Sequence, residues 1–299
     1  MREWHAWYPD GRGRLHPMRL NLLALAVVAA LLQPAASSEI RLIVKGDDMG
    51  AAHGINVGTI EAYKNGILRT TNVIVPGPWF LEAAKLLREN PGLDVGVHLA
   101  LTSEWDNVKW RPLTYAPSIV DADGYFFPTV VPRPGYPPKT SIKDAPWKID
   151  DIERELRAQL DAAKRHLPQA TYTWYHMGFT MVDPAVRDLA AKLTSEYGLV
   201  QATDVGFKSL GRIYEGSDTG LVKADKLAAR LETLEPGLWL QIDHGSTNDP
   251  EMQAISHRGY DNVAADRSAN VEMWTSPKVR EVISRRNIKL TNYRELTKK

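Results

Sequence analysis

The chain has 299 residues, 43% of them hydrophobic and 24% charged. That balance excludes wholesale disorder, collagen and coiled coil, and the length is enough to bury a sizeable core. Beyond residue 37 the body carries 33 basic against 34 acidic residues. A near-neutral body argues against nucleic acid as a partner, because phosphate binding needs a positive surface. There is no cysteine, which excludes a disulfide, a thiolate nucleophile and a zinc–thiolate site.

The N-terminus reads as an address. Leu22 to Leu32 is a run of eleven apolar residues behind Arg19 and ahead of Gln33-Pro34-Ala35-Ala36-Ser37-Ser38. A membrane-crossing helix needs about 20 such residues; a basic flank, a short apolar run and small residues make a secretory signal peptide over 1–38. Met18 is a natural start, which makes residues 1–17 a start-site artefact. The expectation is an exported protein, periplasmic or secreted, with no stable membrane span after signal cleavage. A single domain follows over 39–299.

From Ile40 onward, strand-like and helix-like patterns alternate. Ile40–Lys45 is an apolar strand, Ile55–Lys64 a helix stopped by Gly66, Arg69–Val75 a β-branched strand, Phe80–Arg88 a helix and Asp94–Leu101 a strand. Residues 102–147, rich in Pro, Trp and Tyr, form a long insertion. A helix starts at Asp151, with Ile152, Leu156, Leu160, Ala163 and Leu167 on one stripe. Thr171–His176 is a strand, Pro184–Tyr197 a helix, Leu199–Ala202 a short strand, Lys223–Thr233 a helix and Leu238–Asp243 a strand. Ser276-Pro277 opens a last helix to about Arg286, and Ile288–Leu290 closes the set as a strand. Alternation of this kind predicts a parallel sheet with outer helices. The length and roughly seven strands favour a distorted (β/α) barrel of the TIM-barrel type, whose chemistry sits at the C-terminal ends of the strands.

Polar residues stand at those ends. The first strand runs into Gly46-Asp47-Asp48-Met49-Gly50. On the third, alternation puts Val95, Val97, Leu99 and Leu101 on one face and His98 between Gly96 and Ala100 on the other. His176 ends the strand from Thr171, and His244 follows the strand from Leu238. Each is bland by itself; together they converge on one rim. One carboxylate and two imidazoles can hold a divalent cation with positions left for water and substrate. A second carboxylate can serve as general base and a further histidine as general acid. These are the parts of a metal-assisted amide hydrolase. A glycoside hydrolase, an exported sugar-binding protein and a metallo-phosphodiesterase remain alternatives: the first needs two carboxylates and no metal, and the second releases no acetate.

The stretch RLIVKGDDMGAAHGINVGTIEAYKNGILRTTNVIV, followed by DVGVHLALTSEW, resembles the YdjC-like carbohydrate deacetylases, which include the chitooligosaccharide deacetylases. Arg111–Leu113 (RPL), Asp121–Phe127 (DADGYFF), His176 and the terminal TSPKVREVISRRNIKLTNYREL agree in order, so the resemblance covers about residues 40–296. It implies a distorted barrel and divalent metal-dependent removal of acetyl groups from N-acetylated sugars. Asp47 then corresponds to the catalytic base, Asp48, His98 and His176 to the metal ligands, and His244 to the acid. Mg2+ is the first choice of ion, with Mn2+ or Zn2+ open to the same donors. Arg267 matches a position that contacts or orients the site, and Trp105 and Trp110 of the insertion are candidates to stack on sugar rings. Three departures stand out. The late segment reads Asp243-His244-Gly245 without the family's proline, Trp174 stands where an Asp often precedes the histidine, and Met49 replaces an aromatic.

Overall fold

The computed structural model describes residues 39–297; the segment expected to be a signal peptide lies outside them. In chain order the described elements are β1 (Ile40–Met49), α1 (His53–Asn65), β2 (Thr70–Ile74), α2 (Phe80–Glu89), β3 (Asp94–Leu99), α3 (Ile149–His166), β4 (Tyr172–Tyr175) and α4 (Pro184–Glu196). There follow β5 (Val200–Gln201), β6 (Lys208–Ser209), α5 (Gly220–Glu232), β7 (Gly237–Asp243), α6 (Pro250–Gln253), α7 (Val263–Thr275), α8 (Pro277–Arg285), β8 (Lys289–Thr291) and α9 (Tyr293–Thr297). The strands form one all-parallel sheet in the order β5-β4-β3-β2-β1-β7-β6. The eighth, β8, pairs with Arg41–Ile43 of β1, below the point where β2 takes over at Lys45. The predicted barrel is therefore present as an incomplete one, curled but unpaired between β5 and β6.

Four elements go beyond the sequence expectation: β6, the one-turn helix α6, α7 and the short terminal turn α9. The two-residue β6 is too short to carry a period. The missing α7 has a different cause: its inward face carries Arg267, Asn270 and Trp274, so burial there does not produce the apolar stripe by which amphipathic helices are recognised.

Strand alternation sorts two cores. Leu42 and Val44 of β1, with Val95, Val97 and Leu99 of β3, point outward into the large core beneath the helices. Ile43, Tyr172, Leu240 and Tyr293 fill the barrel interior. Inside, the Tyr172 hydroxyl donates to Thr71 O at 2.7 Å, and the Tyr172 and Tyr293 rings lie 4.2 Å apart. Gly96 faces this plug: a Cβ there would sit 2.3 Å from the Tyr172 ring, so no larger residue fits while Tyr172 holds its place. At the floor, buried Asp94 accepts from Thr70 and Thr171 hydroxyls and from the Tyr293 amide, tying the C-terminus beneath β2, β3 and β4.

The insertion has little regular structure, but it is built in. Ile119, Phe126, Val130 and Ile142 are buried within it. Helix α3 anchors it through buried Glu155, which accepts from the amides of Leu113 and Thr114 at 3.1 and 3.0 Å and from the Thr114 hydroxyl at 2.8 Å. One turn on, Gln159 bonds both the amide and the carbonyl of Ala100 at the end of β3. Hydrogen bonds to a carboxylate contribute about 1.5–3 kcal/mol, and their loss strands buried amides. Glu155→Ala is expected to destabilise the protein by roughly 2–4 kcal/mol, several degrees of thermal midpoint at this size. Calorimetric melting of the two proteins checks it; an unchanged midpoint would show that the insertion needs no such anchor.

Candidate active site

The register of the parallel sheet brings the rim residues together. Gly46 of β1 pairs with Asp243 of β7, which sets Asp47 and Asp48 beside His244. His98 of β3 pairs with Trp174 of β4, two residues before His176. Alternation along β1 turns Ile43, Lys45 and Asp47 inward and would turn Asp48 out. The strand breaks that rule: its pairing with β2 slips between Gly46 and Met49, and Asp48 has φ 71°. A left-handed residue in a bulge costs a non-glycine side chain about 1 kcal/mol or more, least for Asn and Asp. The result is that two adjacent carboxylates both line one cavity of about 340 Å3, with His98, His176, His244, Trp105 and Arg267. Strain of this kind at a rim is a mark of a working site.

Asp48 is the hub. Its Oδ1 lies 3.4 Å from His98 Nδ1 and 3.5 Å from His176 Nδ1. Its Oδ2 lies 3.4 Å from His244 Nε2 and 3.2 Å from Arg267 Nη2. Burial by itself would raise the Asp48 carboxyl, yet the positive charges of His244, His176 and Arg267 hold it well below the usual carboxylate range. Burial, then the neighbouring charge of His176, pulls His98 well below its ordinary value, so it stands as a neutral imidazole. Burial works against His176 as well, but Glu104 and Asp48 on its two sides push it up to about 10.

The donor set fits a cation. Asp48, His98 and His176 each offer a ligand atom, all within 4.8 Å of one another, and they form the sole such cluster among the described residues. Asp48 Oδ1 and His98 Nδ1 are buried with no hydrogen-bond partner. Buried polar atoms are seldom left so, and a shared ion between carboxylate and imidazoles satisfies both. The three sequence-predicted ligands thus meet.

Asp47 stands beside them, paired with buried Lys45, whose ammonium also lies 4.3 Å from the centre of the Trp174 ring. Burial pulls Lys45 below its ordinary value, and the carboxylates of Asp47 and Asp48 pull the other way. Lys45 has a sequence signal that passed unused: it shares the inward parity of Asp47, two residues away on an otherwise apolar strand. His244 is held by β7 and α7. Asp243 Oδ1 accepts from the His244 amide at 2.8 Å and from Asn270 at 3.0 Å and lies 3.6 Å from His244 Nδ1, while Oδ2 accepts from Tyr214 at 2.6 Å. Burial lowers His244, and the carboxylates of Asp48, Asp243 and Asp47 together outweigh it, so the net direction is up.

The aromatic candidates separate. Trp105 walls the cavity, with the Arg267 guanidinium 4.8 Å from its ring. Trp110 is buried, donates its indole N–H to Thr102 O at 2.9 Å and sits 5.8 Å from the His176 ring, behind the cavity lining. His257 and Tyr260 also line the cavity, and sequence reasoning passed over both; they sit in a loop without periodicity.

Fold and rim together define a class: an incomplete parallel (β/α) barrel with an Asp–His–His cluster and a neighbouring second aspartate at the strand C-termini. The profile of the YdjC-like protein family matches residues 41–285, and the chain belongs to that family. It is 30% identical over 265 residues to a carbohydrate deacetylase of Thermoanaerobacter pseudethanolicus, covering 84% of this chain and 97% of that one. A carbohydrate deacetylase of Thermus thermophilus is 29% identical over 267 residues, covering 81% and 89%. Among solved structures, a protein of Enterococcus faecalis described as a cellobiose-phosphate cleavage protein matches with a TM-score of 0.69 at 24% identity, covering 87% of this chain and 99% of that one. That likeness bears on the fold.

Proposed function

We propose that the chain is a metal-dependent hydrolase that removes acetyl groups from N-acetylated sugars or oligosaccharides. The observation that carries this reading is the convergence of two imidazole Nδ1 atoms on one buried, otherwise unpartnered oxygen of Asp48, with a second carboxylate adjacent. The family's relatives named carbohydrate deacetylases support the substrate class.

Asp48, His98 and His176 would hold a divalent cation, which polarises an acetamide carbonyl and lowers the pKa of a water to about 7–9. Asp47 takes the proton of the attacking water as oxygen adds to the acetamide carbon. The tetrahedral oxyanion then collapses, the C–N bond breaks, and His244 Nε2 delivers a proton to the leaving amine; acetate and a free amino sugar are the products. Asp243 fixes the His244 ring for that transfer. The resemblance places Mg2+ first, while two imidazole donors favour Zn2+ and the carboxylate and water positions leave Mn2+ open. The N-terminal segment is read as an export signal, which would bring the enzyme to extracytoplasmic glycans.

The test is acetate release from N-acetylglucosamine oligomers by the purified protein, with and without EDTA. Acetate that ceases with chelator and returns with added metal is the expected result. New reducing ends with no acetate, unaffected by EDTA, would instead identify a glycoside hydrolase.

A further inference from the structure

Glu104 is the one buried carboxylate of the insertion, and it reaches the rim from the loop after β3. Its Oε2 lies 2.9 Å from His176 Nε2, the ring nitrogen opposite the one that faces Asp48. Burial by itself would raise Glu104, yet the facing imidazole brings it below the ordinary range. Trp174, on the strand that leads into His176, offers that ring no carboxylate and packs against Phe207 and the Lys45 ammonium.

The backbone around Glu104 is fixed from several sides. The Ser103 amide donates to Phe127 O at 3.0 Å, the Ser103 carbonyl accepts from Lys109 Nζ at 2.9 Å, and the Trp110 indole donates to Thr102 O. Two residues on, the Asp106 amide donates to Ser256 O at 2.9 Å. The backbone that carries Glu104 is therefore held in place, with the carboxylate buried against His176.

We propose that Glu104 is a positioning residue for the metal centre: it accepts a hydrogen bond from the His176 Nε2–H, and so, when the ring gives up its Nδ1 proton to take a cation, holds Nδ1 aimed at the site shared with Asp48 and His98. The insertion serves as the frame that holds this carboxylate, and Trp110 works as a brace for it. The assignment rests on the cation reading of Asp48, His98 and His176. A ligating histidine whose outer nitrogen is hydrogen-bonded to a carboxylate is both oriented and made more basic, and loss of such a partner costs roughly 10–100-fold in metal affinity.

The experiment is calorimetric titration of the metal-stripped full chain with Mn2+ and with Zn2+, alongside thermal melting of the stripped protein. Wild type is expected to take one ion. Glu104→Ala is expected to bind it roughly 10–100-fold more weakly, and Glu104→Gln, whose amide oxygen still accepts an N–H, to fall between the two. In 15N-histidine spectra of the Zn2+-saturated form, the His176 Nε2–H should be sharp and slow to exchange in wild type and exchange faster with solvent in Glu104→Ala. Affinities of both variants within twofold of wild type, whatever their melting points, would overturn the role of Glu104 alone. A wild-type chain that takes up no ion, or one whose uptake survives His98→Ala, would overturn the cation reading and the positioning role with it.

Discussion

Asp47→Asn should reduce acetate release by about 10²–10⁴-fold, the usual contribution of a positioned base, while the protein still takes up its metal. The two readouts separate because Asp47 and Asp48, though adjacent, have different partners. Asp48 faces both imidazole Nδ1 atoms, whereas Asp47 is paired with Lys45. Asparagine keeps the shape and one oxygen but cannot accept a proton from water. It also leaves the buried Lys45 ammonium without its counter-charge, and breaking a buried pair costs about 3–5 kcal/mol. Melting of the variant therefore belongs beside the kinetics, at a temperature where it stays folded. A variant with near-wild-type turnover would remove Asp47 from the role of base.

His98→Ala should abolish metal uptake and turnover together. The ring is fully enclosed, sits 5.0 Å from the His176 ring and presents to Asp48 a nitrogen with no other partner. Removing it deletes one of three protein ligands and opens a void that solvent can enter, so the remaining carboxylate and imidazole hold an ion only weakly. Elemental analysis of purified wild type and variant, with acetate assays on the same samples, checks the expectation. Full metal content in the variant would show that the ion binds elsewhere.

Much of this arrangement is legible before any coordinates. Period-2 alternation in Asp94–Leu101 puts His98 on the face opposite the large aliphatics, and the structure has it there, looking into the barrel. Histidines after apolar strands, read with the rule that chemistry gathers at strand C-termini, pick out His176 and His244. What escapes that reading depends on chain geometry rather than on pattern. Alternation alone would point Asp48 away from Asp47, and only the left-handed bulge turns both to one side. Helix α7 carries its polar residues on its buried face, so Asn270 and the support of His244 have no periodic signature, and Arg267 stands out in the sequence through the family resemblance alone. Glu104 lies in a proline-rich segment whose path is set by contacts with residues such as Phe127 and Ser256, and no local rule joins it to a histidine 72 positions later.

The unclosed side of the barrel has a consequence for behaviour in solution. A sheet that stops has two borders whose free amides and carbonyls can recruit a strand from another molecule. Here the bordering strands, Val200–Gln201 and Lys208–Ser209, are two residues each, and Lys208 carries a charge at that border. So short a border presents too few groups for an intruding chain to match. A substitution that lengthened either strand into a flat, apolar ribbon would be expected to turn that border into a seed for aggregation.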